Sequence, residues 1–272
     1  MTLLSPASPA SPTGAQSVAA APLGPAARLL PALAAVYRAQ LARAKVARIP
    51  LMFVASFQSI GILVMMRGVV DSGDNPSSRA VVAGSSVLVV AFVALNLLAQ
   101  YFGKLRATGG LDHYATLPVP AASVVLGAAG AYASFTLPGA LVTAGIGAVL
   151  FGLPLTHLWV LLAVVPLAGA ALSGLGAALG LLAPKQEIAT MLGQLGMSAA
   201  LLLGVLPASH LPQAIRLLRA LLPSTYGVDA FADTFAARPD WAAVLGDLGV
   251  CAGVGVVSLS LATVAYRRAT TR

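Results

Sequence analysis

The amino-acid sequence predicts an all-α polytopic membrane protein with six transmembrane helices and both termini cytoplasmic. Three observations carry this. Of 272 residues, 58% are hydrophobic and 9% charged, against roughly 25% charged in soluble domains. With mean hydropathy at +0.90, too few polar groups remain to cover a water-facing surface, whereas lipid tolerates an apolar exterior. Second, six apolar windows lack Asp, Glu, Lys, Arg and His altogether: 49–66, 80–103, 114–156, 158–184, 188–209 and 248–266. Third, Lys and Arg flank these windows unevenly. A soluble enzyme is excluded by composition.

Taken in order, residues 1–25 are rich in Ala, Ser, Pro and Gly with no charge, so they bury no core and read as a disordered tail. They are no secretory signal, because the first Arg is Arg28. From residue 26 to 48, Leu30, Leu33, Tyr37, Leu41 and Ala44 share one helical face and Arg38, Lys45 and Arg48 another, the pattern of an amphipathic interfacial helix. Spans are placed at about 49–70, 80–102, 121–150, 158–183, 188–208 and 245–266. About 20 residues cross a bilayer as helix, and the 43-residue third window is trimmed to one long span by its prolines. Pro118 and Pro120 keep helix from starting before Ala121, Gly152 and Pro154 mark its far turn, and Pro138 is expected to kink it.

The inner loop at 103–120 reads GKLRATGGLDHYATLPVP. Gly109 and Gly110 break the preceding helix, Leu111 to Leu117 can form a short one, and Pro118 stops it. Held between two spans, such a helix suits the transfer of force from a docked partner. The outer segment at 209–240 has an apolar stripe of Leu211, Ile215, Leu218 and Leu222, with Arg216 and Arg219 facing away and Phe231 and Phe235 in i, i+4 register. It reads as one or two short helices at the outer surface, with Trp241 as interfacial anchor. Residues 267–272 form a basic tail. With six spans, eleven of the sixteen Lys and Arg lie on the side of the termini, and cytoplasmic loops carry that excess. The net charge of +8 sits between apolar runs rather than on a folded polar face, which points to anionic membrane lipid and not to nucleic acid.

Little in the chain carries bond-breaking chemistry. It has no GxxxxGK[ST] phosphate loop, so ATP dependence would come from another subunit. His113, His157 and His210 have no carboxylate or Cys at ligand spacing, and metal catalysis is unsupported. The single Cys251 reads as a packing residue. Glu187 and Asp247 lie at span ends rather than inside, unlike the buried relay groups of ion-driven transporters. Gly176 and Gly180, and again Gly249 and Gly253, have the four-residue spacing that lets membrane helices approach closely, within the chain or between subunits. Gln58, Asn96, Gln100 and Gln194 are amides suited to interhelical hydrogen bonds, or to a mildly polar pathway.

On this order of elements the chain resembles the membrane subunits of ABC transporters of the type-2 permease family. The loop motif Gly109, Gly110, Leu111, Asp112 followed by Pro118, Val119, Pro120 is similar to the family's inner loop. Leu222, Pro223 and then Asp229, Ala230, Phe231 are similar to its segment before the last span. Gly110 stands where the family commonly has Thr, Asp112 where it has Glu, and Ala232 where a basic residue often follows. The resemblance, from about Arg38 to Arg268, implies the permease subunit of a multidrug or antibiotic type exporter. It implies a homodimer or heterodimer of such subunits and a separately encoded ABC ATPase that carries ATP and Mg. No cofactor is expected on this chain. Leu111, Asp112, His113 and Tyr114 would then belong to the coupling helix that docks the ATPase. An Ala- and Gly-rich composition with Arg over Lys fits a GC-rich bacterial source and a plasma-membrane location. The alternatives are an ATP-independent secondary transporter and an integral membrane enzyme acting on lipid. For the latter only Asp112 with His113 offers adjacent titratable groups, and adjacency on a helix points side chains apart.

Overall fold

The computed structural model describes residues 28–44, 48–205 and 222–270. The tail 1–25, Lys45, His210, the stripe Leu211, Ile215, Leu218 with Arg216 and Arg219, and Arg272 lie outside these. The described residues are helical without strand: α1 (Leu29–Ala44), α2 (Arg48–Arg67), α3 (Pro76–Ala107), α4 (Gly110–Ala115), α5 (Ala121–Phe151), α6 (Leu158–Leu182), α7 (Gln186–Val205), α8 (Pro223–Asp233) and α9 (Trp241–Thr270). Five are long and apolar enough to cross a membrane: α3, α5, α6, α7 and α9. The apolar stretch of α2, Met52–Arg67, is about 24 Å long at helical rise, shorter than the roughly 30 Å hydrocarbon core.

Helix ends are set by caps rather than by the first charge, which is why several helices outrun the windows read from sequence. α3 begins at Pro76 because Asn75 caps it: the Asn75 side chain accepts from Ser78 N at 2.8 Å, and Asn75 N donates to Ser78 Oγ at 3.3 Å. α9 begins at Trp241 because Asp240 Oδ1 accepts from Ala242 N at 3.0 Å. α5 runs on through Pro138 without a break and ends at Gly152.

α3 is the central helix, with 89% of its apolar window buried, against 33–56% for the other four. Its small residues permit this. Ala83, Gly84, Ser85, Ser86, Ala91, Ala94 and Ala99 are all buried, and α2, α5, α6, α7 and α8 pack around them. One turn of α3, Ala91–Leu97, widens into π-helix. It carries Asn96, which is 2% exposed and accepts from Gln100 Nε2 at 3.0 Å, with Gln194 Oε1 of α7 at 3.4 Å. Two large apolar clusters fill the bundle, beside a small one of Ala55, Val89 and Val93. One end holds Leu63, Val82, Phe151, Leu161, Phe231 and Phe235; the other holds Leu98, Phe102, Leu111, Val124, Leu181 and Tyr266.

α1 packs along α5. Its buried row is Ala32, Val36 and Gln40; of the apolar face read from the sequence, Leu33, Tyr37 and Leu41 are half-buried and Leu30 is 75% exposed. Gly127 and Gly130 of α5 allow this close approach, because Val36 and Tyr37 seat against them.

Candidate functional site at the basic end of the bundle

The helices sort the charges to opposite ends. Arg106 Nη1 of α3 donates to Leu181 O and Ala183 O, at 2.5 and 3.0 Å, joining the ends of α3 and α6. Arg43, Lys104, Lys185, Arg267 and Arg268 end or begin helices at that same side, with Asp112 and Glu187. At the opposite end Arg79 pairs with Asp74 at 2.5 Å, Gly73 N donates to Phe151 O at 2.8 Å, and Asp229 and Asp233 of α8 lie with Asp240, the cap of α9, and Asp247 of α9. There, burial pushes the Asp233 carboxyl above its ordinary value, with Asp240 adding to the rise and Arg79 opposing it.

At the basic end the chain leaves α3 through Thr108, whose Oγ1 donates back to Lys104 O at 2.9 Å. Gly109 then takes φ +69°, a left-handed turn that a side chain would strain. α4 follows and is closed by Thr116, whose N donates to Asp112 O at 3.1 Å. Leu111 is 3% exposed, sunk into the cluster with Phe102 and Val124. Tyr114, three residues on, also turns inward, while Asp112 and His113 are exposed. The α4 segment thus has one face anchored in the bundle and one free for contact.

A chain of polar contacts fixes that anchor. Gln40 Nε2 of α1 donates to Tyr101 OH of α3 at 2.5 Å. Tyr101 OH and Tyr114 OH lie 3.4 Å apart, and Arg43 Nη1 of α1 donates to Tyr114 OH at 3.3 Å. α1 is thereby pinned to α3 and α4, more than sixty residues further along the chain. Gln40, Arg43 and Tyr101 were not singled out in the sequence. Gln40 gives a signal only once the buried row of α1 is known, and Tyr101 gives none.

The glycine pairs separate. Gly176 and Gly180 of α6 face α3, where an added Cβ would meet the Leu95 and Ala99 carbonyl oxygens at impossible range. Gly249 and Gly253 lie on the exposed side of α9, with nothing within 4 Å of an added Cβ. α9 turns Cys251, Gly255, Ser258 and Ala262 toward the bundle instead; Ser258 Oγ donates to Ala171 O at 3.0 Å. No three His, Cys, Asp or Glu side chains among the described residues gather where they could hold a metal.

A family model described as ABC-2 family transporter protein matches residues 13–264. The chain belongs to the ABC-2 transporter family. Comparison with curated proteins gave no match. As an ABC-2 member it is a multi-pass membrane component of a transporter and not itself a catalyst, and the family associates in general with an ABC ATPase. The resemblance read from the order of spans and the Gly109 to Pro120 loop agrees with this family.

Proposed function

We propose that this chain is the permease subunit of an ATP-driven exporter in a bacterial plasma membrane. α2, α3, α5, α6, α7 and α9 form six spans, and the basic end with both termini faces the cytoplasm. Two permease subunits, identical or different, enclose the substrate pathway. Each receives a separately encoded ATPase, which carries the ATP and Mg. Drug or antibiotic efflux is the cargo class in keeping with the mildly polar amides of α3 and α7.

The single observation that supports this most is the construction of α4 in a chain of the ABC-2 family. Leu111 and Tyr114 tie it to the bundle while Asp112 and His113 are presented outward among basic residues. Movement of a docked ATPase would push on α4, and the contacts of Tyr114 with α1 and α3 would carry the push into two helices at once. The residues act mechanically, by position and stiffness, and no bond is made or broken on this chain.

The test is isolation of the full chain from its native membranes in mild detergent, with identification of co-purifying proteins and an ATPase assay. Recovery of a phosphate-loop ATPase whose activity depends on this chain is expected. Asp112→Ala and Tyr114→Ala should lower transport-coupled ATP hydrolysis with insertion intact. Transport that survives ATP depletion but collapses with the ion gradient would refute the proposal.

A further inference from the structure

Two cavities meet along α5, the first between α5 and α6 under α1 and the second between α5 and α9. The first, about 450 Å³, is bounded by Leu33, Ala133, Leu137 and Pro166, with Leu126 and Leu259 at its lower end. The second, about 440 Å³, shares Leu126 and Leu259 and continues past Thr263 to Arg267. From Ala122 to Leu137 of α5 the trough is about 22 Å long at helical rise, deeper than the roughly 15 Å of hydrocarbon in one leaflet.

Its walls and its mouth differ in kind. The long part is apolar, α6 contributing Val165 and Pro166 and α9 contributing Leu259. Its hydroxyl, Ser134, is already bonded to Tyr37 OH at 2.9 Å. The mouth carries the exposed Arg267 beside Ser260 and Thr263, at the end of the bundle where bases outnumber acids. An apolar trough of this kind holds no ordered water, and within a bilayer its open side faces acyl chains. An apolar channel that spans the depth of one leaflet and ends on a cation is complementary to a single lipid.

We propose that this trough is a binding site for an anionic phospholipid of the same leaflet, one acyl chain lying along α5, against α9 below and α6 above, and the phosphate held at Arg267. The α1 helix closes the trough through Leu33, so the lipid also braces α1 against the bundle. The proposal needs these helices to be in a membrane but needs no ATPase, and its test reads lipid binding alone. Its failure leaves the exporter reading standing, and the reverse holds as well.

The experiment is native mass spectrometry of the full chain, purified in detergent and supplied with equimolar phosphatidylglycerol and phosphatidylcholine of one chain length. Wild type should retain one lipid, preferring phosphatidylglycerol about fivefold, the factor expected of one basic side chain at an anionic headgroup. Arg267→Gln should abolish the preference. Arg38→Gln, at an exposed base of α1 that lines neither cavity, should keep it. Ala133→Phe should reduce binding of both lipids with thermal unfolding unchanged, and Ser260→Phe, at an exposed position of the lower cavity, provides the same readout if Ala133→Phe does not fold. Equal loss of preference in Arg38→Gln and Arg267→Gln would overturn the proposal, as would undiminished lipid retention in the folded trough-filling variants.

Discussion

Gly176→Ala and Gly249→Ala are one chemical change at two apolar helices, and the structure gives them opposite signs. In a helix interior, Ala is favoured over Gly by about 1 kcal/mol. At Gly249 nothing lies within 4 Å of the new methyl, so that gain stands. At Gly176 the methyl collides with the Leu95 carbonyl oxygen, with Ala94 O at 2.9 Å and Leu95 Cα at 3.0 Å. All three are backbone atoms of the central helix and cannot rotate aside. α6 must back away from α3, and overpacking of this kind costs typically 1–3 kcal/mol, while a gap of about 0.5–1 Å forfeits a quarter to a half of each dispersion contact along the interface. After the helix gain is subtracted, Gly176→Ala should be less stable than wild type by up to about 2 kcal/mol. The two variants then differ by about 1–3 kcal/mol, or roughly 2–12 °C in Tm at about 2–4 °C per kcal/mol. Cys251 is the single cysteine and is fully buried, so labelling by a thiol-reactive dye during a thermal ramp in detergent reports the opening of the bundle. A Gly176→Ala chain as stable as Gly249→Ala would refute the close approach of α6 to α3. Gly180→Ala, set against the Ala99 carbonyl, should behave as Gly176→Ala does.

Two tyrosine hydroxyls should also differ in sign. Tyr101→Phe removes the acceptor of Gln40, which is 4% exposed, and should destabilise by about 1–3 kcal/mol. Tyr266→Phe removes a buried hydroxyl without a partner among the described residues and should be neutral or stabilising in the same thermal assay. A double-mutant cycle of Gln40→Ala with Tyr114→Phe should give a non-zero coupling of about 0.5–3 kcal/mol through Tyr101, and simple additivity would show that the polar chain does not act as a unit. For Asp233, burial raises the folded-state pKa above the unfolded one, with Asp240 contributing and Arg79 opposing. Its contribution to stability is therefore fully present below the ordinary carboxylate range and lost as pH rises through the raised value. Asp233→Asn should flatten the pH dependence of Tm across that interval, and Arg79→Gln should shift the transition to higher pH.

Much of the architecture follows from sequence because lipid and water sort residues by composition alone. Charge-free runs located the apolar helices, Pro118, Pro120 and Gly152 bounded α5, and Gly109 with Pro118 framed α4, since proline and glycine act on the backbone where they stand. The uneven distribution of Lys and Arg likewise anticipated a bundle with one basic end. What the sequence could not decide was rotation about each helix axis. In a water-soluble bundle an apolar stripe marks the buried face, but here nearly every face is apolar, so hydropathy does not tell lipid from neighbouring helix. The tertiary structure decided that α1 turns Ala32, Val36 and Gln40 onto the bundle. It also decided that Gly176 and Gly180 meet α3 while Gly249 and Gly253 do not, although both pairs have one spacing. The π-helical turn carrying Asn96, and the meeting of Gln40, Arg43, Tyr101 and Tyr114, belong to the same class. Each depends on the depth and rotation at which separately inserted helices lock together, and that is fixed by close packing between residues far apart in the chain.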